Sequence, residues 1–97
     1  MEYFDFVVIY NDNESLEDSK NLVMQKIKDC KYEVNQIEEW GTKMLAYPIK
    51  NNKEGYFVCY NLTHISHQTV KDKFLKEINK LQEDNNILKF IMVKLEE

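Results

Sequence analysis

A chain of 97 residues can build one small two-layer core and excludes two independently packed domains. Its hydrophobic share of 43% and aromatic share of 12% exclude a disordered chain, and two Gly and one Pro exclude a loop-built scaffold. All thirteen basic residues are Lys, against seventeen acids, for a net charge of −4. Without Arg, chemistry that needs a planar guanidinium fork, such as bidentate phosphate clamping, is excluded.

The charge is uneven. Residues 1–40 hold four Lys and ten acids, whereas residues 41–97 hold nine Lys and seven acids, so any contact with nucleic acid is expected from the second half. No apolar run approaches the roughly 18 residues of a membrane span, and the N-terminus lacks the layout of a signal peptide. A cytoplasmic protein is expected. Cys30 and Cys59 have neither CxxC spacing nor a neighbouring His pair, which predicts two reduced, packed thiols.

Tyr3 to Tyr10 is aromatic and β-branched and is closed by Asn11-Asp12-Asn13, the pattern of a central strand. Ser15 with Asp18 forms a capping-box-like start, and Leu16, Val23, Ile27 and Cys30 recur at helical spacing. A strand pattern runs from Tyr32 through Val34 and Ile37 to Ile49, with Gly41 as its expected bulge and Pro48 placing it at a sheet edge. Asn51 to Gly55 reads as a turn, and Tyr56 to Leu62 as a returning strand. Thr69 and Asp72 repeat the cap signal before the apolar stripe Val70, Phe74, Ile78 and Leu81. Ile87 to Leu95 is the last strand.

This βαββαβ order predicts an α+β, ferredoxin-like fold over residues 1–97, a four-stranded antiparallel sheet with two helices on one face. The other face is left open for partners, although fold alone assigns no function.

The residues for catalysis are not assembled. His64 and His67 lack an acidic co-ligand and read as solvated side chains, and with Gly41 and Gly55 as the two glycines no phosphate-cradling loop can form. Adjacent strand residues Glu38 and Glu39 point to opposite faces, so they do not pair as acid and base. No enzyme activity, metal or cofactor is expected. Lys53 to Tyr60 approaches the aromatic strand pattern of RNA-binding sheets but lacks one residue between Tyr56 and Phe57, which splits its aromatics between the two faces.

The most specific run is Glu38-Glu39-Trp40-Gly41-Thr42-Lys43-Met44-Leu45-Ala46-Tyr47-Pro48-Ile49, followed by a polar turn, Gly55 and Tyr56. It resembles the signature of the bacterial small-subunit ribosomal protein S-six family. The resemblance continues at Phe4-Asp5 and in the closing strand from Ile87 to Lys94. It implies a non-catalytic component of the small ribosomal subunit. Such a protein binds the central domain of small-subunit ribosomal RNA as a heterodimer with a basic partner, ribosomal protein S-eighteen. A chain of net charge −4 gains little from counterion release by itself, which fits a basic partner. Position by position, the resemblance assigns Lys43, Lys89 and Lys94 to RNA or partner contact; Lys50 joins them from its place near the turn, and Met44, Tyr47 and Pro48 are expected at an edge where the partner packs, with a core role for Tyr47 as the alternative. Two rival readings are a ferredoxin-like regulatory or ligand-binding domain that homodimerises through its sheet, and a single-stranded RNA binder using Tyr56, Phe57 and Tyr60.

Overall fold

The computed structural model describes residues 2–64, 71–82 and 87–95. Its elements in chain order are β1 (Glu2–Tyr10), α1 (Leu16–Asp29), β2 (Tyr32–Ile49), β3 (Asn52–His64), α2 (Lys71–Gln82) and β4 (Ile87–Leu95). The strands form one sheet in the order β2-β3-β1-β4, and every neighbouring pair is antiparallel. Each helix therefore connects two strands that are parallel but separated by a third, the split βαβ arrangement.

Alternation along β1 decides which face is covered. Phe4, Phe6, Val8 and Tyr10 point one way and are buried with Val23 and Ile27 of α1 and Phe74 and Ile78 of α2, so both helices sit on the same face. The Phe6 ring is central, with ring centroids 5.1 Å from Phe74, 6.0 Å from Phe90 and 6.1 Å from Tyr60. Complete burial of such side chains stabilises a fold by about 1.5–3 kcal/mol each, the main favourable term for a chain this short.

Local details depart from the sequence reading in three places. Ser15 occupies the N-cap position of α1, but its side chain makes no capping bond. Instead the Asn13 carboxamide oxygen accepts from the Ser15 backbone N–H at 2.9 Å, and the Asn13 carbonyl accepts from the Leu16 N–H at 3.1 Å. The β2–β3 turn is tighter than the expected Asn51 to Gly55: Lys50 and Asn51 both take positive φ, 50° and 67°, so Ile49 pairs directly with Asn52. This is the primed two-residue turn whose twist matches the strands, and it lengthens β3 at its start. His64 is buried rather than solvated, its ring centroid 4.7 Å from that of Tyr32, because β3 continues two residues past Leu62. His67, Thr69 and Val70 lie outside the described residues.

β2 is a long, irregular edge strand of 18 residues. Its pairing with β3 shifts between Val34 and Gln36, between Glu39 and Gly41, and between Met44 and Ile49. The second shift is the expected bulge, with Gly41 at φ 84°. The third leaves Leu45 to Pro48 facing the single residue Lys53, where Pro48 has no N–H to donate.

Candidate functional site

The uncovered face of the sheet is a grid set by strand register. Gly41, Phe57, Ile9 and Lys89 form one row across β2, β3, β1 and β4. Glu38, Cys59, Val7 and Ile91 form the next, and Gln36, Asn61, Asp5 and Val93 the one after that. The bulge before Gly41 turns Trp40 onto this face, where its ring stacks on Phe57 at 6.5 Å between centroids and 22° between planes. Trp40, Ile91 and Val93 are each more than two-fifths exposed, which makes the face amphipathic rather than simply solvated.

Between Trp40 and Val93 the grid dips into an open groove of about 330 Å³. Val7 and Cys59 form its floor, and Asp5, Glu38, Gln36 and Asn61 supply its polar atoms. Both carboxylates are held in place. Glu38 accepts from the Trp40 indole N–H at 3.1 Å and from the Gln36 amide at 3.3 Å, and Asp5 accepts from the Asn61 amide at 3.1 Å. Burial, followed by the charges of Asp5 and Glu38, pushes the Cys59 thiol up from its ordinary value, so it stays protonated and is a poor nucleophile. Among the described residues no cluster of three or more His, Cys, Asp or Glu side chains is arranged to hold a metal ion.

The four lysines singled out by sequence do not form one patch. Lys43 and Lys89 both lie on the open face, on the two edge strands, with the Lys43 ammonium 5.3 Å from the Trp40 ring centroid. Lys50 is exposed at the hairpin, where its ammonium reaches back and donates to the carbonyl of Gln82 at the end of α2 and, at 3.3 Å, to that of Ile87. Lys94 pairs in register with core residue Phe4 and reaches the Glu2 carboxylate at 3.9 Å.

Met44, Tyr47 and Pro48 are all exposed at the far end of β2, with Met44 at 76% and Tyr47 at 80%, so Tyr47 has no core role. The aromatic RNA platform does not form. Phe57 faces the open side, but Tyr60 is buried on the helix side, donating to or accepting from the Tyr10 hydroxyl at 2.7 Å. Sequence reasoning noticed Asp5, Glu38, Trp40 and Cys59 singly but missed the groove they share. Their convergence depends on two bulges in β2, only one of which carries a glycine marker.

The family model described as Ribosomal protein S6 matches residues 3–94. The chain belongs to the ribosomal protein S6 family. It is 31% identical to the small ribosomal subunit protein bS6 of Dictyoglomus turgidum, across 99% of this chain and 97% of that protein. It is also 31% identical to bS6 of Rickettsia prowazekii, across 97% of this chain and 76% of that protein. The ribosomal protein S6 structure from Thermotoga maritima superposes with a TM-score of 0.70 at 22% identity, covering 98% of this chain and 89% of that one. The C-terminal domain of the MgtC protein from Mycobacterium tuberculosis superposes almost as well, with a TM-score of 0.67 at 10% identity, covering 99% and 89%. Shape alone thus matches proteins of different names, and the sequence relation is what selects the S6 family. Membership makes the protein a cytoplasmic component of the small ribosomal subunit. No helix of the described residues is long and apolar enough to cross a membrane.

Proposed function

We propose that this S6-family protein is a non-catalytic assembly component that binds the central domain of small-subunit ribosomal RNA as a heterodimer with ribosomal protein S-eighteen. The observation that supports it most is the exposure of Met44 and Tyr47 beside Pro48 on an edge strand, an apolar projection that solvent alone does not favour. The partner packs there. Because the chain carries −4, the partner supplies most phosphate contacts, and Lys43 and Lys89 add two from the edge strands of the open face. Lys50 and Lys94 join at the periphery, each already tied to a neighbouring group.

The test is sedimentation of the tagged protein from its own cytosol in moderately high salt, followed by the Lys43→Glu/Lys89→Glu variant. Retention of the native protein with the small subunit, and at least ten-fold weaker RNA-dependent assembly of the variant, are the expected results. Native protein left at the top of the gradient overturns the reading, whereas full assembly by the variant overturns only the lysine assignment.

A further inference from the structure

The groove on the open face has features that a core-forming sheet does not require. Its two carboxylates, Asp5 and Glu38, are aimed by bonds from Asn61, Gln36 and the Trp40 indole, while its floor is apolar and an aromatic ring forms one wall. Among the described residues no cation lines it. We propose that this groove is a socket for one Lys or Arg side chain of a basic partner polypeptide. Such a side chain has an apolar stem to cover Val7 and Val93 and a charged head to meet both carboxylates beside the indole.

Charge decides among the possible occupants. An RNA phosphate would meet two carboxylates and, among the described residues, no lysine within the groove. A second copy would bring another −4 against a groove that already carries two acids. A basic protein segment is complementary on both counts. The apolar rim of Trp40, Ile91 and Val93 lets it exclude water around the ion pair, which is what makes such a pair specific rather than merely attractive.

The socket rests on the heterodimer reading and extends that interface from the Met44 and Tyr47 projection onto the open sheet face. It is tested by calorimetric titration of the full chain with ribosomal protein S-eighteen of the same organism. Asp5→Asn and Glu38→Gln, which keep the shape and one acceptor oxygen each but remove charge, are each expected to weaken binding about ten-fold or more. Glu39→Gln removes a charge one residue away on the other face and is expected to stay within about two-fold, a surface-pair effect. Val93→Lys places a cation at the half-exposed lip without disturbing the core and is expected to block the socket, which keeps the test decisive should Asp5→Asn fail to fold.

If the native chain binds and all four variants stay within two-fold, the socket is overturned and the heterodimer stands. If the native chain does not bind, both readings fall. Tighter binding of a central-domain RNA fragment by Asp5→Asn and Glu38→Gln, with protein binding unchanged, would give the face to RNA. A homodimer broken by Val93→Lys would give it to a second copy. Either result overturns the proposal.

Discussion

Tyr10 and Tyr60 place two phenols in the core, joined by a hydrogen bond of 2.7 Å, and burial raises both hydroxyls above the ordinary tyrosine value. A buried hydroxyl that loses its partner costs about 1–3 kcal/mol, whereas removing both partners costs less than the sum. Denaturant melts of Tyr10→Phe, Tyr60→Phe and the double variant are therefore expected to show singles each weaker by about 1–3 kcal/mol and a double that is sub-additive. Strict additivity would mean that the hydroxyls do not support each other. The sign of the pH effect follows. The fold holds the protonated phenols while the unfolded chain releases protons near 10.0, so this stability is complete below pH 10 and lost as pH rises beyond it. The double Phe variant should show a shallower alkaline decline, the remainder including Tyr32, whose hydroxyl burial pushes up to about 12.

At the scale of the elements, the two glycines in the S6-family signature serve different physical needs. Gly41 sits at φ 84° with nothing within 4 Å of where a Cβ would stand, so its requirement is conformational. Gly55 has no such backbone requirement, but a Cβ there would lie under 3.0 Å from Ile9 Cγ2, the methyl of a β-branched side chain with little freedom to move. Gly41→Ala is expected to cost about 1–2 kcal/mol from left-handed strain, with Gly41→Asn milder. Gly55→Ala is expected to cost about 1–3 kcal/mol from overpacking, and combining it with Ile9→Ala should be sub-additive. Thermal melts of the five variants distinguish the two causes. An additive Gly55→Ala/Ile9→Ala pair would remove the steric account.

Most of the element order was legible because each strand and helix carries its own period. The apolar alternation of Phe4, Phe6 and Val8, the spacing of Val23 and Ile27, and the bulge at Gly41 are local signals that the folded sheet obeys. What was not legible is set by contacts distant in sequence. Lys50 adopts a positive φ that its side chain does not favour, and the bonds from its ammonium to Gln82 and Ile87 hold the turn there. The shift between Val34 and Gln36 has no glycine to announce it, yet it brings Gln36 and Glu38 onto the open face opposite Asn61 and Cys59. The groove is a product of register, and register is a property of the pair of strands.

At the scale of the whole molecule, α1 is tied to its neighbours by ion pairs at Lys20 and Lys26. Lys20 of α1 bonds Glu39 of β2, and Lys26 of α1 lies 3.4 Å from Glu77 of α2. The hydrogen bond from Lys20 holds the Glu39 carboxyl below its ordinary value, and the bond from Lys26 does the same for Glu77. A carboxylate with a lowered folded pKa contributes stability that is present above its unfolded value of 4.5 and is lost as pH falls through the folded value. The Tm of the native chain should therefore decline below about pH 4.5. Both pairs are solvent-screened, so the contribution of each is modest and shrinks as salt is added. The Lys20→Met/Lys26→Met variant should have a lower Tm than the native chain at neutral pH and a flatter decline in acid. The two curves should converge once the carboxylates are protonated, and should also approach each other in high salt. Parallel curves across the whole range would mean that these pairs follow the packing of α1 against β2 and α2 and do not help to hold it.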